Sequence, residues 1–375
     1  MSPSPLGKTF FERVHRNYVR LERPISSISL LGGFAFDALT LKRIDMFWEN
    51  FWVLAHLLVV AACIVLLNRP RKAAGDANLA IDAGDETKTP VWLVSVLQFA
   101  FGGLLSTFLV FYFRSGSLWE SWPFFLILAA AFVANESLKK HYARLDFQVS
   151  FFFLSLFAFA IFIVPVVVHE MGPFVFLLSG AVSLGLLWLF LRVLRGAARE
   201  TFVHGRKGLF VCVGAIYVAI NVMYFLNLIP PIPLSLQDAS VAHSISRTVN
   251  GNYAVQMEDP GWLRFFRPAE VFHGRPGERV YAYTAVFSPT FLRTAIVHEW
   301  QMYDDKRGWV TMSRVELPLI GGRDGGYRTY SVKTGIKLGA WRVIVETPGG
   351  AILGRLRFNV VQQEDEPELK DVLKD

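Results

Sequence analysis

Cysteine is almost absent from this sequence, which excludes one common way of stabilising a small domain. Two of the 375 residues are cysteine, Cys63 and Cys212, and both lie in apolar stretches. No C-x-x-C motif occurs, so the pair predicts neither a disulfide framework nor a zinc site. We expect both thiols to pack as small apolar side chains.

Signatures of catalysis and cofactor binding are also missing. The chain has no P-loop, no dinucleotide-binding glycine pattern and no nucleophile elbow. His169 and Glu170 are adjacent, but the second histidine of a zinc-protease helix does not follow. We therefore predict a protein that is not an enzyme and that uses no cofactor or metal. The C-terminal part has no basic face with interleaved aromatic residues, so no nucleic-acid partner is expected.

Hydrophobic residues are abundant instead. They make up 53% of the chain, and the mean hydropathy is +0.37. This composition predicts an integral membrane protein, with the lipid bilayer as its first partner. Stretches of about 20 apolar residues are long enough to cross the hydrocarbon, and six occur: 47–67, 90–113, 118–136, 149–169, 173–191 and 208–229. A seventh candidate, 24–41, is short and contains Asp37.

Lysine and arginine indicate the orientation, because they collect in cytoplasmic loops. Three alternate loops are basic, whereas the loops between them contain one cation, Arg114. Seven spans with a basic cytoplasmic tail (1–23) and an external C-terminus fit this pattern. The alternative is a re-entrant or interfacial 24–41 with the tail outside. The first 24 residues hold five cations and no compact apolar core, so no cleaved signal peptide is expected.

Two ionisable residues can lie well inside the predicted transmembrane domain (24–229), namely Asp37 and His56. Polar groups at membrane depth are candidates for an ion or proton pathway. Both residues are therefore intramembrane candidates, and a transporter or a transporter subunit is an alternative function.

The segment "NLIPPIPLSL" (227–236) ends this domain. Proline donates no backbone hydrogen bond and restrains the residue before it. We predict that the last helix stops near Leu228 and that residues 230–237 form a stiff extended hinge. A plain helix terminator without a spacing role is the alternative.

The period of the sequence changes to that of strands beyond residue 237. Residues 341–346 and 352–360 alternate around a Pro-Gly-Gly turn, residues 294–302 and 309–317 flank another turn, and 279–287 is apolar on both faces. We predict an antiparallel, immunoglobulin-like β-sandwich over 238–362. A short helix over 238–247 and a charged flexible tail over 363–375 complete the prediction.

Candidate ligand-binding residues lie in two places in this domain. His298 and Trp300 share one strand face, either as a recognition surface or, as we favour, as a core tryptophan with a histidine at its edge. The glycine-rich loop 321–333 carries side chains that can contact an anion or a sugar. Its candidates are Arg323, Tyr327, Arg328 and Tyr330. A solvated loop is the alternative for this segment.

Several of these motifs resemble a family of bacterial membrane proteins that carry a domain of unknown function, DUF2914. The resemblance rests on "HEW" (298–300), "GGRDGGYRTYSVK" (321–333) and "GAWRVIVETPGGAILGRLRFNV" (339–360). Two further stretches, 30–45 and 227–236, are similar to the membrane part of some members. The resemblance implies a membrane protein with an extracytoplasmic β domain, and it implies no activity or catalytic residue.

The sequence thus predicts an inner-membrane protein whose periplasmic β-sandwich binds a partner protein or an envelope glycan without catalysis. A transporter component, or an enzyme acting on lipid-linked or cell-wall substrates, are the alternatives. Two or three exposed, coplanar aromatic rings would favour a glycan over a protein partner.

Overall fold

The computed structural model describes residues 32–41, 45–70, 91–116, 118–137, 144–249, 252–258, 269–275, 277–323, 325–362 and 367–374. The predicted tail 1–23 and the first part of 24–41 lie outside the described residues.

Helices occupy the first part of the chain. Seven are described: α1 (32–40), α2 (Phe47–Asn68), α3 (Val91–Ser115), α4 (Leu118–Ser137), α5 (Leu145–Val168), α6 (Pro173–Ala197) and α7 (Arg199–Phe225). Five of them, α2, α3 and α5 to α7, are long and apolar enough to cross a membrane. They confirm that five of the predicted apolar stretches form long helices. Because α1 has nine described residues and α4 a shorter apolar segment, 120–135, the count of seven spans stays a prediction.

Local backbone geometry ends two of these helices. Asn227 follows α7 with a φ of 56°, and the amide of Leu228 donates to the carbonyl of Met223 at 2.9 Å. Asparagine tolerates this left-handed conformation, and the bond closes a Schellman motif. His169 ends α5 in a similar way, with a φ of 63° and a bond from its amide to the carbonyl of Pro165. The last helix thus ends at Phe225, with its capping turn at Asn227, before the prolines.

The chain divides into two compact units. The first comprises Met1–Val110, Ile127–Leu156 and Leu184–Ile216. Aromatic rings pack between its helices, for example Phe152 on Phe190 at 4.7 Å. A buried polar side chain also pairs across its helices, as apolar surroundings favour: the amide of the half-buried Asn68 donates to the buried Gln148 at 2.7 Å.

The second unit comprises Phe111–Leu126, Phe157–Ser183 and Tyr217–Asp375. It joins helix segments to the whole β domain. The strands are β1 (Ser235–Ala242), β2 (Ser244–Arg247), β3 (Tyr253–Glu258), β4 (Glu270–Gly274), β5 (Val280–Phe287), β6 (Arg293–Asp304), β7 (Gly308–Ile320), β8 (Tyr327–Lys333), β9 (Gly339–Glu346), β10 (Ile352–Gln362) and β11 (Leu369–Lys374).

These strands form three sheets, with orders β1-β5-β8, β4-β10-β9-β6-β7 and β11-β3-β2. One face of the β1-β5-β8 sheet packs on the five-stranded sheet through a core that includes Ala282, Trp300 and Trp341. Its other face packs on the β11-β3-β2 sheet through Tyr283 and Val255. The middle sheet is covered on both faces, which explains why β5 is apolar on both faces.

The three sheets depart from the predicted fold. The sequence predicts antiparallel pairing throughout, but β4 pairs with β10 in parallel. A β-sandwich has two sheets, whereas this domain has three, so the immunoglobulin-like sandwich is not confirmed. The two predicted hairpins are confirmed as β6–β7 and β9–β10, and β5 is the central strand of its sheet.

The predictions at the two ends of the β domain are wrong. Residues 238–247 are not a helix, because β1 and β2 cover them. Within the predicted flexible tail, residues 369–374 form β11, which pairs with β3. Val372 packs against the core there, and the ammonium group of Lys374 lies 2.6 Å from the carboxylate of Asp238. Burial and pairing with a distant strand thus order a segment that is locally polar.

The proline-rich segment is buried instead of extended into solvent. Residues 229–235 are all buried, and the amide of Leu234 donates to the carbonyl of Pro231 at 3.0 Å in a tight turn. Leu234 is fully buried in the β-domain core. The apolar residues between the prolines therefore hold this turn against its neighbours, which corrects the prediction of a spacer.

Candidate functional site

The β domain contacts three helix ends within the second unit. Arg355 of β10 pairs with Glu120 at the start of α4, with 2.7 Å between Nη1 and Oε1. The hydroxyl of Ser235 donates to the carbonyl of Arg114 at 2.6 Å. The amide of Arg293 reaches the carbonyl of His169 at 3.4 Å. The α3–α4 connection and the α5–α6 connection therefore both contact the β domain.

A cavity of about 350 Å³ lies in this region of the second unit. Its walls come from the ends of α5, α6 and α7, the proline-rich turn, the start of β6 and the β9–β10 turn. The rings of Phe176 and Tyr224 stack at 3.6 Å in one wall. Thr347 shapes another, because its hydroxyl accepts from the amide of Ala351 at 3.1 Å. None of the lining residues is charged, so the cavity suits an apolar ligand of small-molecule size.

His298 and Trp300 lie in the interior of the β domain. Both side chains are fully buried. The imidazole Nε2 lies 3.0 Å from the hydroxyl of Thr284, and Nδ1 lies 2.9 Å from the hydroxyl of Ser331. The indole N–H of Trp300 also donates to Ser331 at 2.9 Å. Burial lowers the pKa of His298 to about 4, so the neutral ring satisfies interior polar groups and is not part of an exposed surface.

The glycine-rich loop does not assemble the predicted set of ligand-binding side chains. Tyr327 packs into the core. Arg328 and Tyr330 are one and three residues further along β8, and they therefore lie on the opposite face of the strand. Tyr330 lies opposite Tyr283, on the face that meets the third sheet. Arg323 is exposed before β8 begins. Successive side chains of a strand point to opposite faces, which separates Tyr327 from Arg328. The spacing of these residues in the sequence already indicates this separation.

Tyrosine rings cluster around Tyr330. The ring of Tyr253 lies 6.0 Å away at an interplanar angle of 77°, and that of Tyr281 lies 6.0 Å away at 48°. These rings are tilted relative to each other. They therefore do not form the coplanar platform that would favour a glycan.

Asp37 and His56 are close to each other in the first unit. Both are half-buried, and they are near enough to each other for an electrostatic interaction. The Nδ1 atom of His56 lies 2.9 Å from the carbonyl of Trp52. The structure thus brings together the two intramembrane candidates.

A cluster of four ionisable side chains, His243, Glu258, His273 and Glu278, escaped the sequence analysis. The Nε2 atom of His243 lies 3.0 Å from Glu258, and its Nδ1 lies 3.2 Å from Glu278. The Nδ1 atom of His273 lies 2.7 Å from the other oxygen of Glu258. A neutral imidazole has one N–H, so donation from both nitrogens of His243 requires its charged form. No short motif marks the cluster, because its members come from separate segments.

Hydrogen bonds set the protonation of this cluster. Burial opposes the charge on His243, but the bonds to Glu258 and Glu278 outweigh it and raise the pKa of the imidazole above 6.5. Burial likewise opposes the charge on Glu258, yet its bonds to His243 and His273 lower the pKa of the carboxyl below 4.5. The ion pair between His243 and Glu258 is therefore complete at moderately acidic pH.

The exchange Glu258→Gln tests this assignment. The charge on His243 stabilises the fold fully below pH 6.5, and this contribution is lost as the pH rises through the raised pKa of the imidazole. The charge on Glu258 stabilises the fold at higher pH, and this contribution is lost as the pH falls through the lowered pKa of the carboxyl. We expect Glu258→Gln to cost about 1.5–3 kcal/mol of unfolding free energy near pH 6 and clearly less near pH 9. Pulse proteolysis in urea measures both values.

The exposed Glu316 on β7 provides the matched control. Glu316→Gln should change stability little at either pH, as surface substitutions usually do. A cost for Glu258→Gln that is equal at pH 6 and pH 9 would contradict a charged His243.

Comparison with known proteins matches part of the β domain to a family model. The model of the family described as "Protein of unknown function (DUF2914)" matches residues 293–360, which confirms the resemblance for the segment from β6 into β10. Proteins with curated descriptions yield no significant match.

Two of the matching solved structures are only weakly similar to this chain. A beta-glucosidase from Listeria innocua, in complex with gluconolactone, has 9% identity and a TM-score of 0.18, with 34% of this chain and 16% of that chain covered. The alkylpurine DNA glycosylase AlkC of Pseudomonas fluorescens, bound to DNA containing an abasic site analog, has 10% identity and a TM-score of 0.22, covering 83% and 98%. Neither score indicates a shared fold.

Proposed function

We propose that this chain is an integral membrane protein that holds its β domain at the non-cytoplasmic face of the bilayer and acts there as a non-catalytic binding protein. In a bacterial inner membrane this face is periplasmic. The observation that carries the proposal is the uncharged cavity lined by helix ends and by β6 and the β9–β10 turn. Its size is within the range of small-molecule sites.

The charges at the helix ends support the orientation. The ends of α5, α6 and α7 that line the cavity adjoin connections with no lysine or arginine. At the opposite ends of α6 and α7, Arg195 lies in the last turn of α6 and Arg199 begins α7, and both belong to a basic group of five residues over 192–207. Positive charge of this kind remains on the cytoplasmic side, so the opposite ends carry the β domain outside.

The chemistry of the cavity favours binding over catalysis. Its polar side chains, Tyr224, Asn227, Thr294 and Thr347, include no carboxylate, imidazole or thiol for general acid–base or nucleophilic work. An apolar wall also gives a glycan few hydrogen-bonding partners. An apolar ligand therefore fits the site better than a sugar.

A partner protein is the second candidate ligand, because the 13-residue β7 lies at an edge of the five-stranded sheet. Extended peptides bind to exposed sheet edges by strand addition. Met312 on this strand is 41% exposed.

A fluorescent label in the cavity tests the proposed function. A single cysteine, Thr347→Cys, is introduced with Cys63→Ala and Cys212→Ala, and it is labelled with a small environment-sensitive dye. We expect neutral alkanols to change the emission saturably, since a finite site fills. The matched control is Thr334→Cys, an exposed threonine outside the cavity, which should show no saturation. Equal, non-saturating responses at both positions would overturn the proposal.

A further inference from the structure

We infer that the cavity of the second unit binds an acyl chain of a membrane lipid, which enters from the leaflet where α5, α6 and α7 end. This inference rests on the proposed function, because it names the class of ligand for the same cavity.

The lining is compatible with a hydrocarbon chain. Aliphatic, aromatic and proline side chains dominate, and no charge would be left unpaired beside an alkyl group. The hydroxyl of Thr347 is already engaged with the amide of Ala351. Burial of an alkyl chain here removes apolar surface from water and desolvates few polar groups.

The position along the helices places the cavity next to the lipid. Pro165 lies in the last turn of α5, Pro173 begins α6 and Phe225 ends α7, and all three line the cavity. Helices of this length and composition end where the hydrocarbon meets the headgroups. The mouth of the cavity is therefore at the depth of the acyl chains closest to the headgroups.

The cavity wall is continuous with an exposed apolar surface. Phe225 lines the cavity and is also 58% exposed. Its neighbour Leu226 is 63% exposed, and Phe174 at the start of α6 is 77% exposed. Side chains of this kind at helix ends contact lipid in a bilayer. A lipid chain thus reaches the cavity without crossing water.

An aromatic residue of the β domain borders the same helix ends. Phe291, in the β5–β6 connection, is 72% exposed and lies 5.8 Å from the ring of His169 after α5. Aromatic side chains are favoured at the membrane interface. This contact places the β domain side of the site near the headgroup region.

The volume fits part of one chain. At about 30 Å³ for each water-sized group, 350 Å³ holds roughly twelve such groups. Methylene groups are of similar size, so the cavity accommodates much of one acyl chain and not a whole phospholipid. The headgroup then stays at the membrane surface.

Photochemical labelling from the lipid tests this inference. The full chain is reconstituted in vesicles that contain phosphatidylcholine with a diazirine near the end of one acyl chain, and adducts are located by peptide mass spectrometry. We expect adducts on the cavity residues Met171, Val175 and Phe176 and on 347–351, besides those on exposed membrane-facing residues such as Phe174 and Trp188. A diazirine on the headgroup should label the cavity segments far less.

Filling the cavity provides the decisive comparison. Thr294→Phe should reduce the cavity adducts by roughly tenfold, the change produced by about 1.4 kcal/mol of lost affinity, while adducts at Trp188 persist. Ala351→Phe is a second variant with the same expected result, and Thr334→Phe is the control that leaves both sets unchanged. Persistence at Trp188 and unchanged thermal unfolding show that a variant is folded.

Two results would overturn the inference. They are cavity segments without acyl adducts and acyl adducts in the cavity that neither filling variant reduces. If one of these results is obtained and alkanols still change the emission of labelled Thr347→Cys saturably, the proposed function survives and only the lipid inference fails. If both fail, the cavity is not a ligand site.

Discussion

Trp300→Ala should destabilise the β domain by about 3–5 kcal/mol, the usual cost of removing a large buried side chain. Trp300 is fully buried between the five-stranded sheet and the middle sheet, and its ring lies 6.3 Å from that of Phe358. Alanine leaves a cavity and also removes the indole N–H that donates to Ser331. The loss approaches the whole stability of a typical domain.

Trp309 is the matched control for this experiment, since it is a tryptophan on the adjacent strand β7 and is only partly buried. Its ring lies 4.3 Å from the guanidinium of Arg342, a contact worth about 0.5–1 kcal/mol at an exposed site. Pulse proteolysis of the full chain in mild detergent and urea compares both variants with the parent. Equal losses for Trp300→Ala and Trp309→Ala would contradict the assignment of Trp300 to the core.

Gly321→Ala should also be strongly destabilising, by roughly 2–4 kcal/mol. A Cβ atom built on Gly321 would lie 1.7 Å from the carbonyl oxygen of Pro289. That oxygen belongs to the backbone, and the amide of Gly321 donates to the carbonyl of Leu292 at 3.2 Å. Relief of the clash therefore requires movement of the β5–β6 connection or loss of this bond.

Gly349 provides the matched glycine, because the nearest atom to its added Cβ is 3.8 Å away. Gly349→Ala should change the urea midpoint by much less than Gly321→Ala. Similar midpoints for the two variants would show that the loop 321–333 tolerates side chains, contrary to the close packing described above.

Local patterns account for the parts of the fold that the sequence predicts correctly. Apolar length alone identifies the five long helices, and alternation around turn residues identifies the two hairpins. Residues 279–287 are apolar at both alternating sets of positions, which correctly indicates a strand that is covered on both faces. Each of these signals lies within a short window of residues.

Contacts between distant segments account for the parts that were missed. Val255 of β3 lies opposite Val372 of β11, more than a hundred residues away, and neither short strand is stable without the other. The four members of the His243 cluster come from separate elements, and the cavity is built from helix ends and turns. Periodicity does not report such contacts, because it describes only the near neighbours of each residue.

Side-specific labelling tests most directly whether the β domain is held at the non-cytoplasmic helix ends. Single cysteines replace Lys306, exposed in the β6–β7 turn, and Glu200, exposed in the first turn of α7, in a chain with Cys63→Ala and Cys212→Ala. A membrane-impermeant maleimide added to intact cells or spheroplasts should label Lys306→Cys, and it should label Glu200→Cys only after permeabilisation. Labelling of Glu200→Cys from outside, with Lys306→Cys protected until the membrane is opened, would contradict the account.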